Sequence, residues 1–303
     1  MGSKKPNIII TGASGFLGHP LCALARKQWD VHAVYLNHAP KAEAVTAVQF
    51  DLAAPGQLEQ LVRDVRPKAV IHAAAKAQVA ECQSEPESSA VINVDVPAHL
   101  ATICAEIDIP FVFVSTDLVF DGMHAPYDET QTPSPVCVYG DQKAMAEARV
   151  LENYPAALVC RLPLLFGLAP YAGNNFTAQM IDAIAKRRPI RLFVDEYRTP
   201  VDNRSAAQGL LTVLGKAKGV LHLGGKQRVS RYELGSAIAK CLNIPSDMIQ
   251  ASRIDEVDLP IRRSPDCTLD SRRAYALGYE PQPFKAAVQQ TVDDYLRHRE
   301  DDD

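Results

Sequence analysis

Residues 7–18 read NIIITGASGFLG, an apolar run of strand-forming residues that breaks into three glycines spaced three apart. A run of this kind, followed at once by a helical pattern, is a β-strand turning into a helix. Glycines at that junction let the backbone approach a phosphate, while free N–H groups and the helix dipole attract its charge. The spacing of Gly12, Gly15 and Gly18 departs from the commoner dinucleotide fingerprint, in which one residue separates the first two glycines. Taken alone, the stretch is a βα turn with or without a nucleotide, and the rest of the chain has to decide.

Outward from this turn, short strand-forming runs at 31–36, 47–50, 69–72, 111–115 and 157–160 alternate with helical patterns at 15–28, 55–65, 88–106 and 138–152. Strands such as FVFVS are apolar on both faces, as in a parallel sheet covered on both sides. The alternation predicts an α/β fold with a doubly wound parallel sheet of the Rossmann kind. The second half carries helical patterns at 176–188, 203–215, 231–242 and 283–298, with Pro and Arg frequent between 253 and 273. Such a segment suits loops that wrap a ligand or plain surface connections. The expected organisation is a dinucleotide-binding domain over 1–165, rejoined by a segment at about 190–222, and a smaller interleaved substrate-binding α/β region within 166–303.

Composition narrows the partners. The chain has 303 residues, 47% hydrophobic content and a formal net charge of −4, without the clustered Lys/Arg of a nucleic-acid surface. No apolar run approaches the roughly 18 residues of a membrane span. Residues 1–6 lead straight into a strand, so no signal peptide is expected, and Pro6 occupies the place where a myristoylation signal needs Ser or Thr. The final REDDD reads as a solvated tail. Seven scattered cysteines with no Cys-x-x-Cys, and no two histidines four apart, point away from disulfides and from a metal and toward a cytoplasmic protein.

An NAD site usually has an acid about 20 residues beyond the glycines, at the end of strand two. Here that end carries Asn37, His38 and Lys41, with no acid between Asp30 and Glu43. A carboxylate would repel a 2′-phosphate whereas Lys41 attracts one, so NADP(H) is favoured, with NAD(H) as the alternative and Lys41 as a plain surface lysine the competing reading. Asp51 is an adenine contact or a helix cap before Pro55.

Tyr139 is the one tyrosine of ten with a lysine, Lys143, four residues on, which puts both on one helix face. A nearby ammonium favours the phenolate and brings a phenol toward neutral pH, where proton transfer is efficient. Thr116 falls at the carboxyl end of the fifth strand, where open α/β sheets bind ligands. Its hydroxyl either holds a substrate oxygen or is satisfied by the turn.

TGASGFLG (11–18), STDLVFDG (115–122), SPVCVYGDQK, CRLPLLFG, GNNFTAQM and GVLHLGGKQRVSRYELGSAIA together resemble the extended short-chain dehydrogenase/reductase superfamily, and within it the dTDP-4-dehydrorhamnose reductase-like sugar-nucleotide reductases. The resemblance covers almost the whole chain. It implies a catalytic set of Thr116, Tyr139 and Lys143, with Tyr139 protonating the C4 keto oxygen of a nucleotide-linked sugar as hydride arrives from the cofactor. It implies cofactor contacts from Gly12, Ser14, Gly15, Phe16, Leu17, Gly18, Asn37, His38, Asp51, Leu52, Ala73, Ala74, Ala75, Asn93 and Pro163. Substrate contacts would come from Asp117, Leu118, Leu164, Asn174, Asn175, Phe176 and Arg198. Leu118 stands where these reductases carry tyrosine, and Leu164 where they carry tryptophan; both changes touch the expected sugar site, so the resemblance does not extend to dTDP-4-dehydrorhamnose itself as the substrate. Leu118 also removes the glutamate that a 4,6-dehydratase would need. Two further readings share the same residues: an epimerase with tightly held NAD, and a non-catalytic regulatory subunit like the methionine adenosyltransferase β subunit, which resembles this subgroup. Dimerisation through the helices at 88–106 and 138–152 is implied as well.

Overall fold

The computed structural model describes residues 5–54, 56–169, 176–245 and 248–300, the side chains of 298–300 excepted. Pro55 and the tail at 301–303 lie outside the described residues. In chain order the strands are β1 (Asn7–Thr11), β2 (Asp30–Tyr35), β3 (Thr46–Gln49), β4 (Ala69–His72), β5 (Phe111–Thr116), β6 (Leu158–Leu162) and β7 (Leu165–Phe166). They continue with β8 (Ile190–Phe193), β9 (Tyr197–Arg198), β10 (Val201–Asp202), β11 (Gly219–His222), β12 (Val229–Ser230) and β13 (Ile249–Ser252). The helices are α1 (Gly18–Ala25), α2 (Gln57–Val65), α3 (Val79–Ser84), α4 (Pro86–Ala90), α5 (Val96–Glu106) and α6 (Val138–Asn153). After these come α7 (Phe176–Ala185), α8 (Asn203–Val213), α9 (Arg231–Cys241), α10 (Arg272–Ala276) and α11 (Phe284–Glu300).

Seven strands form one sheet in the order β11-β6-β5-β4-β1-β2-β3, and every pairing in it is parallel. The two-residue period of a strand explains how it is covered. Ile8 and Ile10 point to one face, with Leu21 and Cys22 of α1 and Ala206 and Leu210 of α8. Ile9 points to the other, with Leu61 and Val65 of α2, Leu100 of α5 and Val150 of α6. The direction of winding reverses between β1 and β4, which opens a crevice at the carboxyl edge of the sheet.

A second apolar cluster joins Met180, Ile181 and Ile184 of α7 to Leu234 and Ile238 of α9 and Val288 and Val292 of α11. β8 pairs with β13 beside it, outside the main sheet. α9 starts with a capping box in which Ser230 and Glu233 exchange side-chain-to-backbone hydrogen bonds.

Three local differences from the sequence expectations have physical causes. Helix α1 begins at Gly18 rather than residue 15 because Gly12–Leu17 forms the turn. The helix expected over 88–106 is interrupted by a π turn at Val91–Asp95; Pro97 has no N–H to give the carbonyl four residues back, so the ladder breaks there. Helix α3, separated from α4 at Glu85 by Pro86, was not anticipated.

Candidate active site

The glycine turn is made by two close approaches. Gly12 has φ +67°, and a Cβ there would lie 2.8 Å from the Ala74 backbone, a conformation and a contact that only glycine tolerates cheaply. A Cβ on Gly18 would overlap the Gly12 carbonyl oxygen. With both small, a cleft of about 330 Å³ opens at the switch point, lined by Gly12, Ser14, Gly15, Asn37, His38, Asp51, Leu52, Ala73, Ala74 and Ala75. Val34, Tyr35, Leu36, Phe50, Lys76 and Ile92 complete it; these were not singled out from the sequence. Leu17 and Gly18 lie under the loop at the start of α1, and the Phe16 carbonyl accepts a hydrogen bond from Asn203 at 3.1 Å. Asp51 sits on the cleft, where its carboxylate accepts from Ala53 N at 3.0 Å. It is not a helix cap, because α2 is capped by Gly56. Lys41 is not among the residues lining the cleft; its charge is felt by His19, which it helps to keep below its ordinary value after burial and Arg204.

Asn93, in the π turn, clamps the strand-four loop from behind. Its amide accepts from Lys76 N at 2.9 Å and donates to Lys76 O at 3.0 Å. The same amide donates to Gln142 Oε1 at 2.8 Å, and Gln142 donates onward to Pro86 O and Ser89 Oγ. Gln142 immediately precedes Lys143, so this chain of amides ties the cleft wall to α6.

Thr116 ends β5 and is buried. Its hydroxyl donates to Asp117 Oδ1 at 3.2 Å and accepts from Leu118 N at 3.2 Å, so the turn satisfies it. Tyr139 and Lys143 occupy the first turns of α6. The Lys143 Nζ donates to Val114 O at 2.7 Å and lies 3.9 Å from the Phe113 ring centroid. Burial lowers it to about 7, with Glu147 acting in the opposite direction. The expected relief of the phenol is absent: burial raises Tyr139 above its ordinary value, and Cys82, Asp117 and Cys137 add to that. Behind them His72 Nδ1 is 2.8 Å from Thr11 Oγ1, and burial with Lys143 nearby holds its ring down to about 3.

Beside α6 lies a second cleft of about 300 Å³, bordered by Leu118, Val136, Cys137, Val79, Ala80, Glu196, Arg198, Arg231 and the segment 259–264. Its electrostatics are dense. Arg198 Nε is 3.0 Å from Asp117 Oδ2, and Arg198 is 3.6 Å from Glu196. Arg231 and Arg263 each reach Glu196 at 3.1 Å. Burial alone would raise Glu196, yet the three guanidinium groups hold it below its ordinary value. Asp117 is raised by burial, against Arg198. With Arg262 also on the wall, four guanidiniums face two carboxylates, which favours an anionic occupant.

The remaining expected residues divide. Phe176 is exposed at the start of α7, with the Arg231 guanidinium 4.6 Å from its ring centroid. Pro163 and Leu164 follow β6; Leu164 packs against the second apolar cluster and neither lines either cleft. Asn174 and Asn175 lie outside the described residues. Arg231, Arg263 and Glu196 were missed as individuals. The Pro/Arg-rich segment 253–273 was the signal available, and it covers Arg263 alone.

Among the described residues no group of His, Cys, Asp and Glu could hold a metal ion, and no helix is long and apolar enough to cross a membrane. The model of the RmlD substrate binding domain family matches residues 6–297. The chain is 27% identical over 301 residues to methionine adenosyltransferase 2 subunit beta of Rattus norvegicus, covering 95% of this chain and 88% of that one. It is 29% identical over 268 residues to the probable low-salt glycan biosynthesis reductase Agl14 of Haloferax volcanii, covering 86% and 88%. The crystal structure of dTDP-4-dehydrorhamnose reductase from Bacillus anthracis in complex with NADP superposes with a TM-score of 0.84 at 23% identity, covering 96% and 99%. The fold is therefore the one seen in that reductase.

Proposed function

Because the chain belongs to the RmlD substrate binding domain family, we propose that it is an NAD(P)H-dependent reductase of a nucleotide-diphosphate 4-keto sugar. The observation that carries the reading is the glycine-turned cleft at the switch point together with an arginine-lined cleft whose wall includes Leu118, two residues after Thr116, and Cys137, the N-cap of the helix that carries Tyr139 and Lys143. The Thr116, Tyr139 and Lys143 side chains themselves line neither cleft. The first cleft fits a nicotinamide dinucleotide, since Gly12 and Gly18 leave no room for a Cβ where its phosphates would approach. The residues lining it at the end of β2 include no carboxylate, which favours NADP(H). The nicotinamide, when bound, supplies hydride. Tyr139 gives its proton to the keto oxygen, Thr116 orients that oxygen by exchanging its turn hydrogen bonds for one to substrate, and Lys143 holds the ribose and offsets charge on the phenol. Arg198, Arg231 and Arg263 receive the diphosphate. Leu118, on the wall beside Cys137, places an apolar surface against the sugar. The same reading carries a cytoplasmic homodimer through α5 and α6, where Met145 and, just past α5, Ile107 are exposed.

An absorbance screen of NADPH and NADH oxidation against a panel of 4-keto nucleotide sugars tests it. Turnover with at least one member is expected, and Tyr139→Phe should abolish it while leaving cofactor affinity within about twofold. A second reading, a regulatory subunit that binds cofactor without turnover, has its own support. The rat methionine adenosyltransferase subunit aligns along 95% of the chain, and the Thr116 hydroxyl is engaged by Asp117 and Leu118. Cofactor binding with no oxidation across the panel would favour that reading and defeat the reductase.

A further inference from the structure

Glu147 and Arg161 form a buried ion pair that the chemistry above does not use. Their side chains are 5% and 3% exposed, and Arg161 reaches the carboxylate through Nε at 3.0 and 3.1 Å and through Nη2 at 2.6 Å. Ser115, the residue before Thr116, donates its hydroxyl to Glu147 Oε1 at 2.5 Å. Arg161 also lies 4.9 Å from the Phe120 ring centroid and 3.4 Å from His222 Nε2. Three elements thus meet at one carboxylate: α6 through Glu147, β5 through Ser115 and β6 through Arg161. Glu147 stands one turn beyond Lys143 on α6, so the bond to Ser115 runs from the helix that carries Tyr139 and Lys143 to the strand end that carries Thr116.

We propose that Glu147 is a positioning residue, which fastens the Tyr139–Lys143 helix to the end of β5 and supplies the negative charge that keeps the Lys143 ammonium in its apolar hole. The proposal rests on the reading above for what Lys143 does, but not for whether it is charged. Among the described residues the groups that face Lys143 are few. On α6 they are Tyr139 one turn before and Glu147 one turn after. On β4 there is His72, uncharged at neutral pH because burial and the lysine hold it down to about 3. From β5 come only the Phe113 ring and the Val114 carbonyl. Arg161 of β6 acts through Glu147. Glu147 is therefore the anion available to hold the proton on Lys143 against burial.

A pair buried this deeply is costly to break singly, since the abandoned partner keeps its desolvation penalty, whereas replacing both members by neutral side chains is often tolerated. The test uses three proteins without cofactor: wild type, Glu147→Gln, and Glu147→Gln with Arg161→Met in case the single variant does not fold. The Lys143 side chain is titrated by heteronuclear NMR on lysine-labelled protein, its signal assigned with Lys143→Met. The wild-type midpoint is expected near 7. Glu147→Gln, which leaves the Arg161 charge behind, should titrate lower by about one unit or more, the lower range for losing an adjacent opposite charge; the double variant loses a pair of zero net charge and should shift in the same direction by less. NADPH affinity at neutral pH should fall at least about fivefold in Glu147→Gln and by less in the double variant, and the fall should shrink as pH is lowered and Lys143 recharges. A Lys143 midpoint in the double variant equal to wild type would overturn the proposal, even if thermal stability drops, because a merely structural pair changes stability without moving that titration. Neither readout needs turnover. Absence of reductase activity with a shifted midpoint would therefore defeat the reductase reading and leave this one standing.

Discussion

Replacing Lys143 by methionine should stabilise the empty protein at neutral pH and lose that advantage as the solution becomes alkaline. The reasoning is linkage. Burial brings the Lys143 ammonium down from 10.5 to about 7, so between those values the unfolded chain holds a proton that the folded one has released. Stability of wild type then rises with pH across this window, at about 1.4 kcal/mol per unit, and it gains nothing further above 10.5. From pH 7 to pH 10 the gain is about 4 kcal/mol. Methionine fills the hole over the Phe113 ring without a charge, so the variant lacks this slope. It also leaves the Val114 carbonyl without its 2.7 Å donor, at a cost of about 1–3 kcal/mol that does not depend on pH. The measurement is urea unfolding of both proteins at several pH values from 7 to 10. Thiols and phenols raised by burial, such as Cys160 and Tyr279, weaken both proteins alike toward the alkaline end and cancel in the difference. His72 and His222, held down to about 3, titrate below the window. Parallel stability curves, with a constant difference between variant and wild type, would refute the reasoning, because Lys143 would then be no more depressed in the fold than in the unfolded chain.

Three further outcomes follow from the clefts. Gly18→Ala drives a methyl into the Gly12 carbonyl and should lower unfolding stability by about 1–3 kcal/mol, with dinucleotide binding weakened at least tenfold in a fluorescence titration. Asn37→Asp places a carboxylate at the end of β2 on the cleft wall and should shift the ratio of NADPH to NADH affinity toward NADH by about tenfold, read by calorimetry; an unchanged ratio would remove Asn37 from the adenosine end. Arg231→Ala takes one guanidinium from Glu196 and from the second cleft. It should raise KM for a nucleotide sugar by tenfold or more with kcat changed less than threefold, and a loss confined to kcat would contradict a binding role.

What the sequence made legible was local. The alternation Ile8, Ile9, Ile10 sends neighbours to opposite faces, and that two-residue period is visible without any long-range knowledge. The three glycines and the Tyr139–Lys143 spacing are equally short-range, because a turn and one helical turn fix them. The parts that stayed hidden depend on residues brought together from far along the chain. Asp117 meets Arg198 across the sheet edge, Asn93 meets Gln142 over a separation of 49 residues, and nothing in the pattern of either segment names its partner. Lys41, beyond the end of β2, is absent from the lining of the cleft, and its charge acts on His19, an effect that sequence proximity to β2 does not reveal. The π turn was hidden for a subtler reason, since its cause, the missing N–H of Pro97, acts on a carbonyl one turn earlier and leaves the amphipathic period intact.

The resting geometry bears on the choice between an enzyme and a binding subunit. A protein that only holds a dinucleotide needs the glycine turn and the open wall at Ala73–Ala75, both of which cost the fold little. The Lys143 ammonium, whose protonated form is disfavoured by about 5 kcal/mol relative to an ordinary lysine, would serve either protein, since it holds the cofactor ribose in the reading above; a phenol that burial has raised beside it adds nothing to cofactor binding. A reductase gains from both features. A tyrosine that remains protonated through neutral pH is ready to donate to a keto oxygen, and a lysine poised near 7 responds strongly to any charge that enters the site. The protonated Tyr139 is thus the feature that favours the reductase of the two readings, while the alkaline loss of the Lys143→Met advantage measures the cost of a lysine that both would use.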